Sequence, residues 1–260
     1  MAKIKLKKKN GIILKTFEEI SKLRTAAATT MEILLKIAEQ IAPGISGLDI
    51  DKIARSLCKE YGVKPAFLGY GGFPGAICFS VNEEVVHGLP TKKKVLKEGD
   101  IVSLDFGAIV DGWIGDVAVT VPVGKVSETA QRLINVTRES LYKGIEATKA
   151  GGKLIDISRA IQNYVESNGF NVTRGYAGHG IGRSLHEEPQ ITNYVYKGYP
   201  DITLEPGMTF AIEPMVNEGT GKVKVKRDKW TVVTKDGKLS AHFEHDVAIT
   251  EDGTIIMSAI

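Results

Sequence analysis

Between residues 16 and 42 apolar side chains recur every three or four positions, the period of one helix face, and Pro43-Gly44 stops the run. It begins on Thr16-Phe17-Glu18-Glu19, where a threonine three residues ahead of a glutamate has the form of a capping box. The pattern therefore predicts a long first helix over 16–42. A second helix is predicted over 47–61, closed by Gly62, and β-rich sequence follows over 63–86. The same order then recurs: a long helix over 127–149, a break at Gly151-Gly152, and a shorter helix over 155–167 capped by Asn168-Gly169.

The recurrence extends to single residues. A shift of 107 lays Gly44 on Gly151, Asp49 on Asp156, Ile50 on Ile157, Gly62 on Gly169 and Gly71 on Gly178. One further step lays EGDIVSLD on PGMTFAIE, and Asp105 on Glu213. Two copies of so long a unit are no solenoid. They predict one α+β domain over 11–260 with pseudo-symmetric halves, about 11–125 and 126–260. Their strands would curl into a shared antiparallel sheet with the helices outside.

IVSLDFGAIV and WIGDVAVTV flank Asp111-Gly112, the dipeptide of a tight hairpin turn. Counting back from the turn pairs Val110 with Trp113, Gly107 with Asp116 and Phe106 with Val117. Asp105 and Asp116 then become diagonal neighbours on one face, within reach of a common ion. Two acids there repel each other, and solvent exposure, a shared proton or a cation would each relieve them. Glu213 in TFAIEPMV and Glu244 in HFEHDVAIT repeat the situation in the second half. Four acids in apolar strands, two from each half, suggest a site where the halves meet.

Composition narrows the classes. With 43% hydrophobic and 25% charged residues in 260, the chain reads as an ordinary globular protein with a sizeable core. A net charge of +3 does not argue for a specific nucleic-acid partner. Residues 1–10, MAKIKLKKKN, read as a basic flexible arm that could touch an RNA-rich surface. No segment has the length of a membrane span, and Ile12-Ile13-Leu14 is too short for the apolar core of a secretory signal. Cys58 and Cys78, the two cysteines, form no disulfide framework, so a reduced, cytoplasmic setting is expected.

GHGIGRSLHEEP places His179 and His186 seven residues apart among glycines that disfavour a helix, and in a strand an odd spacing would send the rings to opposite faces. Either the two histidines are exposed on a loop, or the glycines bend the backbone so that both reach one site. With His179, the four acids form an oxygen-rich cage suited to Mn, Fe, Co or Zn, and two divalent ions are needed to neutralise them. Such ions could share a bridging hydroxide, which is hydrolase chemistry.

YAGHGIGRSLHEEPQITNY, with NEEVVHGLP, the Asp105/Asp116 hairpin, IEPMV and FEHDVAIT, resembles the type I methionine aminopeptidases over nearly the whole chain after the lysine arm. The resemblance implies the pita-bread fold and a dinuclear site of Asp105, Asp116, His179, Glu213 and Glu244. It further implies catalytic roles for His87, His186 and Glu213, and a methionine pocket of Phe67, Tyr70, Phe73, Cys78, Leu185 and Trp230. His186 would face the substrate without binding metal. The implied reaction removes the N-terminal methionine of nascent peptides with a small second residue. A monomer with transient ribosome contact is expected. Gly71 and Phe67 depart from some bacterial members, which carry histidine and cysteine there. Two rivals remain: a proline-specific pita-bread peptidase, and a non-enzymatic relative that binds RNA or protein.

Overall fold

The computed structural model describes residues 11–260 in full and, before them, the backbone of Lys7–Lys9. The rest of the lysine-rich arm lies outside the described residues. Strand β1 (Lys7–Lys9) pairs with β2 (Ile12–Leu14), and helices α1 (Phe17–Ala38) and α2 (Gly47–Glu60) follow. The Thr16 hydroxyl accepts the Glu19 N–H at 3.2 Å while the Glu19 carboxylate accepts the Thr16 N–H at 2.9 Å, completing the capping box. Helix α1 ends four residues earlier than its pattern predicts. Gln40 and Ile41 donate to Ile37 and Ala38, so i to i+3 turns replace the last helical turn ahead of Pro43.

The stretch over 63–86 is not one strand. It breaks into β3 (Lys64–Pro65), a 3-10 turn at Tyr70–Gly72, β4 (Cys78–Val81) and β5 (Glu84–Val86). Gly69, Gly71 and Gly72 all have positive φ, which turns the chain out of the sheet. Then β6 (Ile101–Val110) and β7 (Trp113–Pro122) form the predicted hairpin, with Gly107 opposite Asp116 and Val110 opposite Trp113. Asp111 and Gly112, at φ 49° and 77°, supply the two left-handed residues of such a turn.

The second half follows the first: α3 (Glu128–Ala147), α4 (Leu154–Ser167), then β8 (Asn171–Val172), β9 (Ala177–Gly180), β10 (Glu187–Thr192), β11 (Thr209–Ile212) and β12 (Met215–Asn217). It closes with β13 (Val223–Val225), β14 (Val232–Thr234), β15 (Ser240–His242), β16 (His245–Thr250) and β17 (Gly253–Ile256). Asp49 and Asp156 both sit in the first turn of the shorter helix of their half, as the repeat predicts. Gly71 and Gly178 are not equivalent, one lying in the 3-10 turn and the other in β9.

The sheet is curved and assembled from hydrogen-bonded pieces. In the first half β4, β6 and β7 lie side by side, and in the second β10-β9-β11-β16-β17 run in that order. Each half has its own core. Leu34, Ile50, Phe79 and Leu104 belong to one; Leu133, Ile157, Ile161, Phe210 and Val247 belong to the other. Each such buried side chain contributes about 1.5–3 kcal/mol. Backbone links that join the halves include Glu244 N–H to the Ala118 carbonyl at 2.9 Å, Ile114 N–H to the Gly182 carbonyl at 2.9 Å, Lys15 N–H to the Gly207 carbonyl at 2.8 Å, and β5 paired with β14. The Ala118–Glu244 link carries the site.

Candidate metal centre

Strand register gathers the acids. Cys78 lies opposite Asp105, Asp105 opposite Ala118, and Ala118 opposite Glu244, one row across three paired segments. Paired residues share a face, so Asp105 and Glu244 reach across the small Ala118, with Asp116 two residues along the same face. In the second half His179 on β9 lies opposite Ala211, and Glu213 follows two residues later.

The ligand atoms of Asp116, His179 and Glu244 lie within 4.8 Å of one another, as do those of Glu213, His242 and Glu244. His179 Nε2 is 3.8 Å from Asp116 Oδ2 and 3.6 Å from Glu213 Oε1. The His179 Nδ1 proton goes to the Gly180 carbonyl at 2.9 Å, which leaves the Nε2 lone pair facing the acids. Asp105 lines the same cavity but joins neither tight group. Burial pushes its carboxyl up to about 7, with Glu213 adding to the rise while the nearby His242 and a hydrogen bond from the Cys78 thiol oppose it. Burial likewise holds Asp116, Glu213 and Glu244 well above the usual carboxylate range. His179 falls to about 3 for the same reason, so its imidazole is neutral and able to ligate.

The bend between the two histidines has an identifiable anchor. Glu187 Oε1 accepts the N–H groups of Arg183 and Ser184 at 3.1 and 3.3 Å, and Oε2 pairs with the buried Lys15 ammonium. Gly178 and Gly180 allow the neighbouring strands to approach, because a Cβ there would collide with the carbonyl oxygens of Ala211 and Glu188. The His179 and His186 ring centroids end up 4.3 Å apart. His186 Nδ1 is 2.7 Å from the Tyr70 hydroxyl. His87 stands in a left-handed conformation, φ 56°, with its ring 6.0 Å from that of Tyr176.

All thirteen residues singled out from the sequence line one cavity of about 570 Å³. The Asp105, Asp116, Glu213 and Glu244 carboxyls interact electrostatically with one another, and His87 feels His242 and His186. Phe67, Phe73, Cys78 and Leu185 are buried members of one apolar cluster, against which Trp230 packs edge-on to Phe73 at 5.2 Å. Tyr70 is 47% exposed.

A sequence profile of metallopeptidase family M24 matches residues 21–251. Methionine aminopeptidase 1 of Bacillus subtilis is 50% identical over 251 residues, covering 96% of this chain and all of that one. The chain belongs to the methionine aminopeptidases of family M24. A crystal structure of methionine aminopeptidase from Thermotoga maritima superposes with a TM-score of 0.92 at 51% identity, covering 96% of this chain and 100% of that one. The prolidase from Pyrococcus furiosus shares the fold alone: TM-score 0.77, 22% identity, 95% of this chain and 65% of that one.

For a metallopeptidase of this family, the donor set fits a divalent metal. Asp116 Oδ1 and Glu244 Oε1 are buried without a hydrogen-bond partner among the described residues, and a cation would satisfy them. Several supporting residues escaped the sequence reading. Asp246 Oδ2 accepts the Asp116 N–H at 2.9 Å, and Asn193 Nδ2 donates to the Glu213 carbonyl at 2.9 Å. His242 stands against Glu213 and Glu244. A signal existed, since His242, Glu244 and Asp246 alternate at the spacing of one strand face. Lys15 and Asn193 had none, because their partners are distant in sequence.

Proposed function

We propose that this enzyme removes the initiator methionine from nascent chains with a small second residue, using two divalent ions, Co, Mn, Fe or Zn, held by Asp105, Asp116, His179, Glu213 and Glu244. One observation carries the reading: ligand side chains from both halves meet in a cavity that also has an apolar, aromatic portion. Bound divalent ions would polarise the scissile carbonyl and lower the pKa of a water toward neutrality. Glu213 takes the proton of the attacking water and passes it to the leaving amine. His186 donates to the oxyanion and His87 to the departing peptide nitrogen. Phe67, Tyr70, Phe73, Cys78, Leu185 and Trp230 enclose the methionine side chain, whose flexible thioether suits a narrow apolar slot.

The test is release of free methionine from Met-Ala-Ser across a panel of divalent metals, beside Xaa-Pro peptides. Methionine release supports the assignment. Preferential cleavage of the Xaa-Pro peptides would overturn it in favour of a proline-specific peptidase. No helix of the described residues is long and apolar enough to cross a membrane. A cytoplasmic monomer that meets nascent chains at the ribosome through its lysine arm is part of the same reading. Unchanged ribosome co-sedimentation after deletion of residues 2–9 would remove that last element.

A further inference from the structure

The five-ligand reading leaves one imidazole beside the acids without a task. His242 ends β15, two residues before Glu244, and is 1% exposed. Neither of its ring nitrogens has a hydrogen-bond partner among the described residues. Its position is set by backbone rather than by side-chain preference. The Thr120 hydroxyl on β7 accepts the His242 N–H and donates to the His242 carbonyl, both at 2.8 Å. The ring is thereby held against the acids, with Nε2 3.6 Å from Glu213 Oε2 and 3.9 Å from Glu244 Oε2.

Those separations are informative. A hydrogen bond from the ring to either carboxylate would bring the atoms to about 2.7–3.2 Å. Two donors that each stand about 2.0–2.2 Å from one ion can lie up to about 4.4 Å apart. His179 shows the same relation to Glu213 from the other side: Nε2 is 3.6 Å from Oε1, as His242 Nε2 is 3.6 Å from Oε2. Glu213 thus stands between two imidazoles, one facing each of its oxygens.

We propose that His242 is a sixth protein ligand of the centre, giving its Nε2 to an ion that it shares with Glu213 and Glu244. The assignment rests on the two-ion reading above. It gives the centre two nitrogen donors, His179 and His242. A second imidazole shifts the preference of the centre toward Fe or Zn and away from Mn, since imidazole suits the former and all-oxygen sites the latter.

The experiment uses the full chain, stripped with chelator and reloaded with Co(II). Elemental analysis counts the ions, and proton NMR counts the solvent-exchangeable imidazole N–H resonances that the paramagnetic ion shifts out of the normal range. Two ions and two shifted imidazole resonances are expected, one of them lost in His242→Gln. Calorimetric titration of that variant is expected to show the weaker Co(II) site loosened by about tenfold or more, at the scale by which changes around a metal alter affinity. Two bound ions with a single shifted imidazole in the unmodified enzyme would overturn the assignment of His242 and leave the dinuclear reading standing. Fewer than two bound ions would overturn the dinuclear reading itself.

Discussion

His186 is held between the Tyr70 hydroxyl, 2.7 Å from Nδ1, and the His179 ring. When the hydroxyl donates to Nδ1, the imidazole proton sits on Nε2, where a developing oxyanion needs a donor. His186→Ala is expected to lower kcat by about 10²–10³, the usual cost of a lost oxyanion donor, with metal content unchanged by elemental analysis. Wild-type turnover would take it out of the mechanism. His87 carries a φ of 56°, a conformation that costs a non-glycine residue about 1–3 kcal/mol and persists where surrounding structure imposes it. Burial lowers its pKa to about 4, so it faces substrate neutral at assay pH. His87→Ala is expected to slow kcat more than it raises KM, measured on Met-Ala-Ser. Both proposed roles come from motif resemblance alone. The spacing of His179 and His186 leaves both convergence and exposure open, and Lys15 and Glu187, which help to hold the bend, are 172 residues apart.

At the scale of elements, local chemistry was readable wherever it was self-contained. The Asp111-Gly112 turn and strict alternation specify the β6–β7 register, because a slip of one residue would turn every side chain to the wrong face. Thr16 and Glu19 start α1 by contacts three residues apart. The stretch over 63–86 reads as β-rich, but its division into short strands was not legible, because β propensity says nothing about where Gly69, Gly71 and Gly72 take positive φ. Strand β9 yields an element-scale prediction. At Gly180 an added methyl meets the Glu188 carbonyl, and at Gly178 the Ala211 carbonyl, so either alanine variant must push a neighbouring strand away from His179. Both are expected to melt several degrees lower and to bind metal more weakly, as read by calorimetry and elemental analysis. A variant with unchanged melting and metal content would show that the strands do not need this approach.

For the whole molecule, gathering buried acids makes metal-free stability depend on pH. His87, His179, His186, His242 and His245 all have lowered pKa values, chiefly through burial, and favour folding as pH rises toward the ordinary histidine value of about 6.5. Beyond it they are neutral in both states. The acids act in the opposite sense. Asp105 is raised to about 7, and Asp116, Glu213, Glu244 and Asp246 well above their usual range. Above about pH 6.5 the folded chain therefore holds more protons than the unfolded one, and its stability falls as pH rises. Chelator-treated enzyme is expected to melt at a lower temperature at pH 8 than at pH 6.5, and added Co(II) or Mn(II) is expected to abolish the difference, because cations replace the protons. Metal-free melting that is flat or rising over that interval would count against the cluster.

What the sequence by itself determined are features written within a few residues: the helix caps, the hairpin register that puts Asp105 and Asp116 on one face, and the repeated order of elements. Motif resemblance added the proposed set of five ligands and two histidines. Only the tertiary structure decided that the two halves join at Ala118 and Glu244, that Asp246 braces Asp116 from 130 residues away, and that His242 faces Glu213. The reason is physical. Caps, turns and alternation are set by neighbouring residues, whereas the approach of two strands from different halves is set by how two separate cores pack, and no local pattern encodes that distance.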